Sequence, residues 1–318
     1  MTSLTPFERF SGDIERHYGI LPTEIYVAPR GFAAETYYVD TKEQSFFLKI
    51  MNNPRRQAIF KHGLQVVEAL VDQGIDYIPR LIKLSSGDLY FEKDNAVAAL
   101  YTRIEAKQSY HYDRANVFKK LAQIYHVSAQ FPNKESFMKE TFNDRFISAY
   151  EKELQSFMNT AIEGDEAIEV RAILQPYADF LTSCPTTASK IVSTCREQQV
   201  DYYLTHSDFT NNVMISGTGQ HYLIDFDEAI FGPLERDGFL CLAPDHDESK
   251  LWLSVMKESF PEYQVNKDCI QYYLYERFMV DLTTFMQESL HHPDLEHRRK
   301  IVTSTKDYLM GWLYPMMN

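Results

Sequence analysis

The spacing of apolar residues changes once along this chain, near residue 115, and no other feature limits the fold as much. Before that point the apolar runs are short and rich in aromatic and β-branched residues. They read as strands at Glu24–Ala28, Tyr37–Asp40 and Ser45–Ile50, near Pro79–Leu84 and Leu89–Phe91, and at Ala96–Tyr101. Thr41–Gln44 is placed to be a hairpin loop. Two helices interrupt this region. Pro6 to about Tyr18 has Thr5 as N-cap and proline at its first position. Arg55–Asp72 carries Ile59, Leu64, Val67, Leu70 and Val71 on one side, with Gly74 beyond its end. After residue 115 helical spacing dominates, over Val117–Ala129, Phe142–Asn159, Ala167–Leu181, Thr187–Gln198, Lys250–Lys257, Cys269–Glu288 and Leu295–Trp312. One β-rich interruption, Val213–Ile215 and Tyr222–Phe226, brackets the turn Ser216–Gly217–Thr218–Gly219. The order is therefore a helix, a small antiparallel sheet with one helix, a connector near Thr102–Ala106, and a mostly helical remainder. The connector has no Gly/Ser-rich linker, which predicts a tight hinge.

The 318 residues carry 44% hydrophobic and 24% charged side chains, ordinary for a globular protein with a sizeable core. The net charge of −13 argues against nucleic acid as a partner, because phosphate binding needs a basic face. Residues 1–104 hold 12 basic and 13 acidic residues, leaving 20 and 32 for the rest. A cleft wall in the later part would attract cations, although a solvated acidic surface has the same composition. Cys184, Cys195, Cys241 and Cys269 form no C-x-x-C pair, which predicts free buried thiols in a reducing cytoplasm. Glu8, Arg9, Asp13, Glu15 and Arg16 are unlike a signal peptide, and no stretch approaches the roughly 20 apolar residues of a membrane span. A cytoplasmic protein without membrane contact is expected.

The chemistry concentrates between His206 and Asp237, in the run H-S-D-F-T-N-N-V-M-I-S-G-T-G-Q-H-Y-L-I-D-F-D-E-A-I-F-G-P-L-E-R-D. Asp208 lies in a loop ahead of one strand and Asp225 at the end of the next. The hairpin between them would bring Asp225 close to Asn211–Asn212. A carboxylate with an amide oxygen is a hard-oxygen site suited to Mg²⁺ bridging nucleotide phosphates. Asp208 is then a carboxylate facing an incoming hydroxyl, the place of a base in phosphoryl transfer. A metal-dependent hydrolase built from His206, Asp208, Asp225 and Asp227 is a competing reading, but it lacks further histidines.

These residues resemble the catalytic and metal loops of the aminoglycoside phosphotransferase and choline kinase families. Their pattern is H-G-D-x-x-x-x-N, an apolar strand, a hairpin and I-D-(F/W), with His206, Asp208, Asn212 and Asp225 at the matching places. The runs I-D-F-D-E-A-I-F-G-P-L-E-R-D and Y-L-Y-E-R-F-M-V-D (Tyr273–Asp281) look most like spectinomycin phosphotransferase-like enzymes. Two departures stand out: the asparagine follows Asp208 one residue earlier than usual, and Ser207 replaces the common glycine. Asn212 is the first choice of metal ligand, with Asn211 the alternative.

The resemblance implies an α+β, bilobal, protein-kinase-like fold. Its N-lobe, residues 1–104, would be a small antiparallel sheet that binds nucleotide. Its larger, mostly helical C-lobe, residues 105–318, would hold the catalytic loop, the metal and the acceptor. Lys49 is a lone charge in the apolar strand Phe46–Ile50, where the class has its phosphate-binding lysine. A snorkelling surface lysine is the alternative. Gly31, in A-P-R-G-F-A-A, is the sole glycine of the expected nucleotide-covering loop. Glu68 is the candidate partner for Lys49, although it stands late in its helix; otherwise that ion pair is absent. In the connector A-A-L-Y-T-R-I-E-A, Thr102 and Ile104 would offer backbone groups to the nucleobase, with Tyr101 adjusting pocket size. His206 and Asp237 would brace the catalytic loop. Asp227 could touch a second metal ion, a cationic substrate or a turn. Glu276 and Asp281 would border the acceptor, and Asp245, Asp247 and Glu248 add an acidic loop.

The expected activity is transfer of the γ-phosphoryl group of ATP or GTP, with Mg²⁺, to a hydroxyl of a cationic small molecule such as an aminoglycoside or aminocyclitol. A metabolic choline- or sugar-type kinase and a non-catalytic nucleotide-binding pseudokinase are the alternatives. The protein is expected to act as a monomer or homodimer.

Overall fold

Helix α1 (Pro6–Tyr18) begins at a reciprocal cap. The Thr5 hydroxyl accepts the Glu8 N–H, and the Glu8 carboxylate accepts the Thr5 N–H. It ends at Gly19, whose φ of +67° closes the last turn. Then come β1 (Glu24–Val27), β2 (Glu35–Asp40) and β3 (Ser45–Met51), helix α2 (Pro54–Asp72), β4 (Leu81–Ile82), β5 (Phe91–Lys93) and β6 (Ala96–Thr102). These strands form one antiparallel sheet in the order β1-β2-β3-β6-β4, with β5 also on β6. Strand alternation separates its faces. Tyr37, Val39, Phe46, Leu48, Ile50, Ala98 and Leu100 form a core with Phe10 and Ile14 of α1. Thr36, Lys49 and Ala99 stand side by side across β2, β3 and β6 on the opposite face.

The computed structural model describes residues 4–28, 34–242 and 248–317. The chain divides into two compact units, Met1–Lys139 with Tyr203–Phe231, and Glu140–Tyr202 with Gly232–Asn318. The first adds β7 (Ala106–Gln108), α3 (Arg114–Ser128), β8 (Tyr203–Thr205), β9 (Val213–Ser216), β10 (His221–Leu223) and all but the last residue of β11 (Ile230–Gly232) to the N-terminal sheet. An antiparallel sheet runs β10-β9-β7, and β8 pairs with β11. This grouping differs from a cut after residue 104. Strand β7 gives the hairpin a third strand, and the Leu223 N–H donates to the Tyr77 carbonyl at 3.0 Å.

The second unit contains α4 (Arg145–Asn159), α5 (Asp165–Leu174), α6 (Ala178–Glu197), α7 (Glu235–Gly238), α8 (Ser249–Ser259), α9 (Lys267–His291) and α10 (Leu295–Met317). Its core joins Phe146, Tyr150 and Leu154 of α4 to Leu181 and Cys184 of α6 and Phe278 and Leu282 of α9. An antiparallel sheet in the N-terminal region followed by a helical C-terminal region is the α+β arrangement expected.

The helices around Pro185 differ from the expectation. Instead of Ala167–Leu181 and Thr187–Gln198, the break falls at the 3-10 turn Gln175–Tyr177, and α6 runs through Pro185. A proline inside a helix leaves the carbonyl four residues earlier without its donor. Here that carbonyl belongs to Leu181, and the buried Tyr150 hydroxyl donates to it at 3.2 Å. A side chain from α4 thus supplies the bond that α6 cannot make for itself.

Candidate active site

Lys49 leaves the sheet face opposite α1, between the small neighbours Thr36 and Ala99. Its Nζ lies 5.5 Å from the centre of the Phe60 ring of α2. It lies 2.9 Å from Asp225 Oδ1 and 2.8 Å from Asp227 Oδ2. The two carboxylates follow β10, so the strand lysine and the hairpin acids meet within one unit. Asp225 has φ of +64°, a left-handed conformation uncommon outside glycine, which sets its carboxylate off the strand line.

Charge balance here is uneven. Burial opposes ionisation of Asp225, but the Lys49 ammonium outweighs it and holds that carboxyl below its ordinary value. Burial pushes Asp227 up to about 6, against the pull of Lys49, and the neighbouring Asp225 adds to the rise. Burial also works against the Lys49 charge, yet Asp227 and Asp225 together raise its proton affinity. One ammonium shared by two carboxylates leaves a net negative charge beside the sheet.

Asp208 belongs to the loop between β8 and β9. Phe209 anchors this loop, buried edge-on against Phe118 at 6.1 Å. Ser207 has φ of +71°, the left-handed region where a glycine is less strained. His206 is buried, and its Nε2 makes a 2.9 Å bond with the Ile224 carbonyl, just before Asp225. Asp208 itself is exposed. Asn212 Nδ2 donates to the Asp208 carbonyl at 2.7 Å and to Asp208 Oδ2 at 3.2 Å. The Ile224 N–H donates to the Asn212 carbonyl at 3.0 Å. The hairpin therefore draws Asp208, Asn212 and Asp225 into one neighbourhood. The Asn211 side chain makes a 3.5 Å contact to Asp208 Oδ1, and its carbonyl accepts from Gln108 Nε2.

Among the described residues, no three His, Cys, Asp or Glu side chains converge as a self-sufficient metal cage. The oxygens there include those of Asp225 and of the Asn212 amide, whose nitrogen is turned to Asp208. That set fits Mg²⁺, which is commonly held by one or two carboxylates and fills its other positions with phosphate oxygens and water.

One expected pairing is replaced by another. Glu68 does not pair with Lys49: it pairs with Lys83, because it sits two turns beyond the Phe60 turn that faces the lysine. The Thr102 N–H donates to the Arg80 carbonyl at 2.8 Å, and its hydroxyl accepts the Arg80 N–H. The Ile104 carbonyl accepts the Ala106 N–H at 2.9 Å. Tyr101 is buried in the sheet. Gly31, Asp245 and Asp247 lie outside the described residues.

Glu276, Asp281 and Asp237 belong to the second unit. Burial, with the nearby Glu140 carboxylate, pushes Glu276 up to about 7, and the Tyr272 hydroxyl lies 3.4 Å away. Asp281 is neutralised by Arg277 at 2.6 Å. Asp237 is buried in α7. Sequence reasoning did not single out Glu140, which accepts the Thr141 and Phe142 N–H groups and the Tyr273 hydroxyl. Nor did it single out Gly63. A Cβ there would stand 2.8 Å from Asp227 Cα and 3.0 Å from the Phe226 carbonyl oxygen. A glycine in mid-helix was the available signal.

The fold recurs in solved structures. Spectinomycin phosphotransferase, solved with ADP and spectinomycin, has 18% identity and a TM-score of 0.76, covering 94% of this chain and 93% of its own. A microcompartment-associated aminopropanol kinase has 12% identity and a TM-score of 0.64, covering 98% of this chain and 99% of its own. Choline kinase from Streptococcus pneumoniae has 15% identity and a TM-score of 0.55, with coverage of 96% and 98%. Comparison with curated proteins gave no match. No helix among the described residues is long and apolar enough to cross a membrane. Residues 24–263, most of the chain, match the sequence model of the phosphotransferase enzyme family, to which the chain accordingly belongs as a kinase of small-molecule hydroxyl acceptors.

Proposed function

We propose that the protein transfers the γ-phosphoryl group of ATP or GTP to a hydroxyl of a cationic acceptor of the aminoglycoside or aminocyclitol class. The observation that carries this reading is the meeting of Lys49 with Asp225 and Asp227 in the same unit as the Asp208–Asn212 loop. Residues 1–104 supply the nucleotide-binding part and residues 105–318 the catalytic loop, metal and acceptor residues.

Lys49 steadies the α- and β-phosphates. Asn212 and Asp225 hold Mg²⁺, which when bound neutralises phosphate charge. Asp208 orients the acceptor hydroxyl and takes its proton. The acceptor oxygen forms a bond to the γ-phosphorus, the bond from that phosphorus to the β-phosphate bridging oxygen breaks, and the nucleoside diphosphate leaves. The proton passes from Asp208 to solvent. In this chemistry the protein's contribution is positioning and charge stabilisation. The cationic acceptor is supported by the acidic balance after residue 104 and by the Glu276 carboxylate, which stands beside a second acid, Glu140. A metabolic amino-alcohol kinase is the second reading, favoured by the choline and aminopropanol kinases among proteins of this fold.

Nucleotide consumption with Mg²⁺ should be measured against aminocyclitols, aminoglycosides, choline, aminopropanol and sugars. Asp208→Asn should abolish acceptor-stimulated turnover, a loss of at least about 100-fold, while nucleotide affinity stays within about threefold. Stimulation by an amino alcohol alone would select the second reading. Nucleotide binding without Asp208-dependent turnover across the panel would favour a binding module.

A further inference from the structure

We propose that Asp227 is a positioning residue that holds Lys49 in place for the nucleotide, the task a helix glutamate would otherwise perform. The inference rests on the phosphotransferase reading of the Lys49 site. Helix α2 offers Lys49 no acid: its acids are Glu68 and Asp72, and Glu68 is engaged by Lys83. What α2 presents instead is the Phe60 ring, 5.5 Å from the ammonium, and Gly63.

Gly63 explains how a loop residue can take over. With no Cβ at 63, the backbone at Phe226–Asp227 lies directly against the helix, closer than any side chain there would allow. Arg56 of the same helix pairs with Glu228, holding the loop on its other side. The carboxylate that the helix lacks arrives from the segment the helix supports.

Exposure separates the two acids on Lys49. The Asp225 side chain is 45% exposed and that of Asp227 only 12% exposed, although both contact Nζ at almost equal distance. Asp225 is open to a ligand on its far side. Asp227 is closed in and keeps its contact with the lysine when Asp225 turns to a cation. Without Asp227, Lys49 would lose its remaining fixed partner at the moment the nucleotide site fills.

The test uses the full chain and a fluorescent ATP analogue, first without divalent ion and then titrated with Mg²⁺. Asp227→Asn, Lys49→Met, their double variant and Asp227→Glu are compared, each checked by circular dichroism. Asp227→Asn and Lys49→Met should each weaken metal-free binding about tenfold or more, as expected for a lost charge-assisted bond. The double variant should bind no more weakly than Lys49→Met, since both remove one interaction. Asp227→Glu should recover part of the affinity, and half-saturating Mg²⁺ should stay unchanged. Should Asp227→Asn fail to fold, the comparison of Asp227→Glu with Lys49→Met decides, and a folded Asp227→Glu no better than Lys49→Met overturns the proposal. So do additive losses, metal-free affinity kept within about twofold in Asp227→Asn, or a loss confined to Mg²⁺ affinity. Wild-type protein that binds no nucleotide would instead refute the phosphotransferase-site reading, and this proposal with it.

Discussion

Replacing Gly63 by alanine sets two effects of opposite sign against each other. In an exposed helix interior, glycine to alanine stabilises by about 0.8–1 kcal/mol, because alanine loses less backbone freedom. Gly12 in α1 is such a place: it is exposed, and a Cβ there meets nothing within 4 Å. At Gly63 the new methyl would stand 2.8 Å from Asp227 Cα, 3.0 Å from the Phe226 carbonyl oxygen and 3.3 Å from the Asp227 nitrogen. All three are backbone atoms, so no flexible side chain can swing aside. Overpacking of this kind costs about 1–3 kcal/mol and is relieved by moving the backbone. The segment that must move carries Asp227 and adjoins Asp225. Gly63→Ala should therefore destabilise by roughly 0–2 kcal/mol net, where Gly12→Ala stabilises. It should also weaken nucleotide binding several-fold, which Gly12→Ala should not. Urea unfolding of both variants beside wild type, with nucleotide titration of the folded proteins, checks this. If Gly63→Ala stabilised as much as Gly12→Ala and bound nucleotide normally, the close packing of α2 on the Asp225–Asp227 segment would be refuted.

Two further predictions concern buried polar groups. Tyr150→Phe leaves the Leu181 carbonyl without a donor and should cost about 1–2 kcal/mol. In a Pro185→Ala background, where the helix regains its own N–H, the same change should cost clearly less; equal costs would refute the link between proline and hydroxyl. His62 is buried, with Nε2 accepting the Met138 N–H at 2.9 Å, and burial lowers its proton affinity. A depressed histidine binds its proton more readily when unfolded, so its contribution is complete above about pH 6.5 and declines as pH falls toward the folded value. Unfolding free energies between pH 7.5 and 5 should show this fall in wild type and a smaller one in His62→Gln.

How much could be seen in the sequence depended on how local each determinant was. Helices α1, α2 and α4, strands β3 and β6 and the β9–β10 hairpin were legible because periodicity, caps and turns act over a few residues. The short strands β7, β8 and β11 were missed, since three residues carry no usable period and are strands only through their partners. Pro185 misled because a proline ordinarily ends a helix, and the hydroxyl that excuses it comes from a residue 31 positions earlier than the carbonyl it serves.

The spacing of His206, Asp208, Asn212 and Asp225 was already present in the linear order, as was the isolation of Lys49 in an apolar strand. A hairpin and the loop ahead of it gather the first four of those groups, an arrangement that short-range geometry makes. The partner of Lys49 was not present there. Glu68 is a late acid of α2 and Asp227 one of the acids that follow the hairpin, and only packing decided between them. Helix α2 turns Glu68 toward Lys83, while the missing side chain at Gly63 lets the hairpin backbone close in and bring Asp227 to within 2.8 Å of the lysine. The sequence by itself determined which residues could carry the charge; which carboxylate met the ammonium was settled by how closely a helix and a loop, far apart in the chain, could approach.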